Sequence, residues 1–85
     1  MLIYKYPLSQ TESVTTLSYK GQFLTVGEQD GFLYIWVIHF PEDEPEEHTF
    51  VVIGTGVRTD WKNLRYRKTV QMDNGLVWHV FEEKS

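Results

Sequence analysis

The sequence predicts an all-β domain, a small antiparallel sandwich or partly open barrel of five to seven strands. Three observations carry this. Apolar residues alternate or run continuously over short segments, the pattern of half-buried and fully buried strands. No longer stretch carries an apolar stripe at helical spacing. Two dipeptides, Asp30-Gly31 and Asn74-Gly75, stand between apolar runs, where two strands are joined by residues that tolerate positive φ. A chain of 85 residues leaves room for one domain, residues 1–85.

Along the chain, Leu2, Tyr4, Tyr6 and Leu8 share one side of a first strand. Pro7 lacks an amide donor and fits only near the end of that strand or at a sheet edge, so the strand is expected to be peripheral. Val14 to Tyr19 is rich in β-branched residues and reads as the second strand. Lys20-Gly21-Gln22 is expected to turn the chain into Phe23 to Val26. Asp30-Gly31 then closes a type I′ hairpin. Phe32 to Phe40 is apolar on both faces until His39, so it should lie centrally and be covered on both sides. Pro41 ends it. The acidic segment 42–47 is expected to be a mobile loop, since it has little apolar surface to bury. His48 to Ile53 resumes as a strand and stops at Gly54-Thr55-Gly56. Residues 57–66 form a basic and aromatic loop with room for one helical turn near Thr59 or Asp60. Tyr66 to Met72 and Leu76 to Glu82 flank Asp73-Asn74-Gly75 as a last hairpin.

Composition narrows the function. The chain has no cysteine, which excludes disulfides, a thiolate nucleophile and Cys-rich zinc sites and fits a reducing cytoplasm. Its longest apolar run, Phe32 to Ile38, falls far short of the ~20 residues of a membrane-spanning helix. The stretch Met1 to Pro7 has neither the charged start nor the apolar length of a signal peptide. No membrane association is expected. A formal net charge of −4 argues against a binder of duplex nucleic acid, which needs a basic excess. The charge is split, with acids at 42–47 and Arg58, Lys62, Arg65, Arg67 and Lys68 against Asp60 in the following basic segment. The plain reading of both runs is solvated loops.

Catalytic groups are sparse. His39 and His48 flank the acidic loop and could approach Glu42 or Glu47, but the spacing has no compact ligand pattern and no metal site is assigned. His79 reads as a hydrogen-bonded strand residue, and the serines lie outside any nucleophile elbow. No catalytic residue, enzyme activity or cofactor is expected. Gly54-Thr55-Gly56 offers more, because glycines let backbone amides turn toward an anion and Arg58 can add a charge-assisted bond. Two glycines after a strand also make an ordinary turn or bulge. The same segment continues with Trp61, Arg65, Tyr66 and Arg67, stacking surfaces and guanidinium groups that suit a small anionic nucleotide. An acidic protein surface would use the same residues.

Ile3-Tyr4-Lys5-Tyr6-Pro7-Leu8, Phe50-Val51-Val52-Ile53-Gly54-Thr55-Gly56 and Gly75-Leu76-Val77-Trp78-His79-Val80-Phe81-Glu82 together resemble a family of small uncharacterised proteins of bacteriophages and prophages. The resemblance spans nearly the whole chain and departs after Gly56, where Val57-Arg58 stands in place of the expected His-Pro. It implies phage origin and a place in the host bacterial cytoplasm. By analogy with small accessory phage proteins it implies counter-defence, either by sequestering a nucleotide or by binding a host defence protein. A minor role in the virion stays open. A small cysteine-free sheet protein with 15% aromatic residues is also expected to hide its central strand in a homo-oligomer, most simply a symmetric dimer.

Overall fold

A computed structural model describes residues 1–10, 13–60 and 62–84. It contains β1 (Leu2–Pro7), β2 (Val14–Tyr19), β3 (Gly21–Gln29), β4 (Phe32–His39), β5 (Glu46–Gly54), β6 (Leu64–Gln71) and β7 (Val77–Glu83). All pairings are antiparallel, in one sheet of order β1-β4-β3 and a second of order β2-β5-β7-β6. The protein is therefore an all-β, two-sheet molecule of seven strands that does not close into a barrel. The sheets approach along β3 and β6. Both strands carry a register shift, between Phe23 and Thr25 and between Tyr66 and Lys68, and such bulges bend a strand and re-aim its side chains.

Between the sheets lie Val26, Leu33, Ile35 and Val37 from one side and Phe50, Val52, Val70 and Val80 from the other, all buried. The alternation in the sequence produces this directly, since every second residue of a strand faces the same way. β4 is the central strand of its sheet. Its inner residues are covered, but the expected cover on both sides is not supplied by the described residues. Tyr34, Trp36 and Ile38 on its outer face are half-buried, shielded by neighbours such as Lys5, whose ammonium lies 4.4 Å from the Tyr34 ring centroid.

Both hairpins form where the turn dipeptides stand. Asp30 (φ 53°) and Gly31 (φ 86°) make the two-residue type I′ loop between paired Gln29 and Phe32. The second hairpin uses three residues. Met72 N donates to Leu76 O at 2.8 Å, Gly75 N donates to Met72 O at 3.0 Å, and Gly75 has φ 91°, the geometry of a turn followed by a left-handed glycine.

Three expectations are corrected. The expected turn at Lys20-Gly21-Gln22 shrinks to Lys20, since Gly21 already opens β3, and there the chain passes from one sheet to the other. β5 begins at Glu46 rather than His48, since Glu46 and Glu47 find partners in Tyr19 and Ser18 of β2. The acidic loop is accordingly shorter, and it is turned by Asp43 N donating to Phe40 O at 3.0 Å. The segment after Gly56 contains no helical turn among its described residues. Lys62 N instead donates to Asp60 Oδ1 at 3.1 Å, the short side-chain turn that aspartate favours outside helices.

Candidate functional site

β5 ends in a tight turn. Val57 N donates to Gly54 O at 3.2 Å, and Gly56 at φ 89° occupies the position where a type II turn requires positive φ. The turn is exposed from Thr55 onward. Strand alternation sends Ile53 and its partner His79 to the outer face of the four-stranded sheet. There Thr55 Oγ1 is hydrogen-bonded to His79 Nε2 at 2.7 Å, and His79 Nδ1 to Thr69 Oγ1 at 2.9 Å. Thr69 Oγ1 in turn bonds Tyr66 Oη at 2.8 Å. Both imidazole nitrogens are thus occupied by hydroxyls, and a neutral ring accommodates that by donating through one and accepting through the other.

This chain of polar groups borders a groove of about 510 Å³, within the ~300 to 1,000 Å³ range of small-molecule sites. Ile53 and Phe81 provide its apolar surface, the turn residues through Val57 and Thr59 one side, and Tyr66 the other. Tyr66 is 56% exposed and meets Phe81 edge-on, with centroids 5.6 Å apart. A second pocket of about 380 Å³ lies on the other side of the same turn. It shares Ile53, Gly54, Val57 and Thr59 with the groove, and adds Arg58 and Trp78.

The residues singled out in the sequence therefore divide. Gly54, Thr55, Gly56 and Tyr66 come together at the groove, while Arg58 faces the adjoining pocket. Arg65 and Arg67 do not join them. They line a separate pocket of about 180 Å³ among Glu46, Glu47, Glu82 and Glu83. Trp61 lies outside the described residues. The cause is alternation along β6, which sets Arg65 and Arg67 on the face opposite Tyr66, and the bulge then keeps Lys68 on that inner face too. Arg67 reaches Glu82, and Lys68 Nζ donates to Thr25 Oγ1 at 3.2 Å.

Glu82 was not singled out by sequence reasoning, and it organises that interior. It is 7% exposed. Its Oε2 bonds His48 Nδ1 at 2.8 Å, and its Oε1 accepts from Arg67 Nε at 2.8 Å and from Arg67 Nη2. Burial by itself would raise the carboxyl pKa, but the hydrogen bonds from His48 and Arg67, with their charge, hold it below the usual carboxylate range. Tyr19 stacks on His48 with centroids 4.0 Å apart. Burial, aided by the Glu82 charge, pushes the Tyr19 hydroxyl up to about 12. The signal for Glu82 was in the sequence: Trp78, Val80 and Glu82 alternate on one face of a strand, so an acid falls at a core position. His48 is thereby engaged by a single carboxylate. Among the described residues no cluster of three His, Asp or Glu is placed to hold a metal ion.

Chemically, Thr55 and His79 are within general-base reach of one another. The group on the far nitrogen is a threonine hydroxyl, which does not stabilise an imidazolium as the carboxylate of a catalytic triad does. Fold and site together define a small two-sheet module with an apolar, turn-flanked groove whose described lining holds no Asp, Glu, Lys or Arg. The chain belongs to the DUF7352 family, a domain of unknown function, whose family model matches residues 1–85. Comparison with curated proteins and with solved structures finds no match.

Proposed function

We propose that this protein is a non-catalytic binding module that sequesters a small ligand by its planar part in the groove between the Gly54–Val57 turn and Tyr66. The observation that carries this reading is the groove itself. It has the volume of a ligand site, an apolar floor of Ile53 and Phe81, an exposed tyrosine ring and a hydroxyl–imidazole edge. Such a surface suits a nucleobase, which offers a flat face to stack and polar edges to bond. Neither Arg65 nor Arg67 takes part, because both face the Glu82 side. In a phage setting, holding a host nucleotide signal without converting it would serve counter-defence.

Calorimetry with nucleosides and with mono-, di- and cyclic nucleotides tests the reading. A member of the panel should bind with one ligand per chain, and Tyr66→Ala should weaken it by about tenfold to a hundredfold, the worth of a base–aromatic stack. No heat across the panel would remove it.

A second reading has its own observation. The outer face of the three-stranded sheet carries Ile3 (51% exposed) and Phe32 (60% exposed) beside half-buried Tyr34, Trp36 and Ile38. Apolar surface of this kind favours association, with a second copy or with a host defence protein. For self-association, light scattering at micromolar protein should give a dimer mass that Trp36→Glu reduces to the monomer. A monomer for the unaltered chain would contradict it.

A further inference from the structure

Trp78 pairs with Gly54 in the sheet, and its ring lies 3.6 Å from where a Cβ on Gly54 would stand. Its Nε1 is buried and has no hydrogen-bond partner among the described residues. A buried N–H without an acceptor costs free energy and is uncommon in native proteins. Trp78 also lines the pocket of about 380 Å³ behind the turn, whose described lining includes Arg58, Ser13, Thr59 and Gln10 and no Asp or Glu. Indole and guanidinium groups only donate, and hydroxyls can donate as well. A pocket with an unused donor and a cation, and no carboxylate among its described residues, matches a group that supplies acceptors and negative charge.

We infer that this pocket is an oxyanion subsite for phosphate or carboxylate, with Arg58 supplying the charge and Trp78 Nε1–H the fixed donor. The inference rests on the groove reading in one respect: the anion is taken to belong to the ligand whose planar part occupies the groove. The two spaces share Gly54, Val57 and Thr59, so one molecule can straddle the turn. Residues 55–60 are exposed, and because the indole N–H is buried the Val57 to Thr59 segment has to move outward when the anion binds. Arg58 and Trp78 thereby acquire a joint role that neither has through its contacts within the chain.

The test is nuclear magnetic resonance on the ¹⁵N-labelled full chain. The Trp78 indole signal is assigned through Trp78→Phe, or by sequential assignment should that variant not fold. Inorganic phosphate, sodium acetate, a nucleoside and its monophosphate are titrated separately. The indole Nε1–H signal should move downfield with phosphate or with acetate, and which of the two moves it identifies the anion. The monophosphate should bind about tenfold more tightly than the nucleoside, the scale of one hydrogen bond to a charged group, and Arg58→Gln should remove that advantage. An indole signal unmoved by either anion, with the monophosphate no tighter than the nucleoside, overturns the inference while nucleoside binding leaves the groove reading standing. Conversely, an indole shift with phosphate but no nucleoside binding supports the subsite and counts against the groove.

Discussion

Gly21→Ala is expected to leave the chain unfolded at room temperature. The residue sits where the polypeptide leaves one sheet and enters the other, at φ +150°, and L side chains rarely adopt that conformation. An added Cβ would stand 1.8 Å from the Ile38 carbonyl oxygen and 2.9 Å from its carbon. Both are backbone atoms of the central strand, so no side chain can rotate away. Relief requires pulling β3 from β4, which dismantles the hairpin that brings Val26, Leu33, Ile35 and Val37 to the core. The cost exceeds the ~4 to 5 kcal/mol that marks an exceptional substitution, close to the whole stability of a small domain. Gly31→Ala is the internal control. It also has positive φ, but nothing lies within 4 Å of the added carbon, so only the left-handed penalty of ~1 to 2 kcal/mol applies. Circular dichroism with urea titration should show a folded Gly31→Ala and no cooperative transition for Gly21→Ala. A cooperative Gly21→Ala would contradict this account of the crossover.

Glu82→Ala should cost about 3 kcal/mol. The carboxylate is nearly fully buried, and it answers two cationic or donor groups at once, His48 and Arg67. Removing one partner of a buried pair leaves the other charge without compensation, which is the expensive way to break it. Arg67 keeps its contact with the Phe23 ring, 4.5 Å from the centroid, but loses its hydrogen-bonded carboxylate. Its side chain is 21% exposed, so water recovers part of the loss and the figure falls at the low end of the usual range. Replacing the pair together, as Glu82→Leu with Arg67→Met, should be distinctly milder, because an apolar pair leaves no orphaned charge.

The same carboxylate sets an acid limit. A pKa held below the ordinary 4.5 means the unfolded chain takes up the proton first as pH falls. The Glu82 contribution is therefore complete above that ordinary value and is lost as pH drops through the lower folded value. Urea midpoints measured from about pH 6 down to about pH 3 should fall for the unaltered protein and fall less for Glu82→Gln. Identical slopes would show that Glu82 is not the group responsible.

The strands and both hairpins were legible because the information is local. Alternation in Val14 to Tyr19 and the Asp30-Gly31 pair need nothing beyond their neighbours. The sheet change at Gly21 was not legible, since a Lys-Gly-Gln triplet looks the same whether the next strand pairs back or crosses over. What distinguishes the two is the Ile38 carbonyl, distant in sequence. The site divides along the same line. Gly54, Thr55, Gly56 and Tyr66 converge at the groove, the first three because they are consecutive. Arg65 and Arg67 were grouped with them by proximity in sequence, yet strand alternation sets both on the face opposite Tyr66. The bulge at Arg67 reverses the facing only of the residues that follow, so Lys68 lies on the inner side and Thr69 on that of Tyr66.

The groove beside the Gly54–Val57 turn is proposed to hold a ligand and return it unchanged. Incubation with a nucleoside monophosphate panel, removal of free ligand, heat denaturation and mass spectrometry of the released small molecules test it most directly. The account predicts one intact ligand per chain from the unaltered protein and little from Tyr66→Ala. Release of a converted product, or of nothing at all, would contradict it.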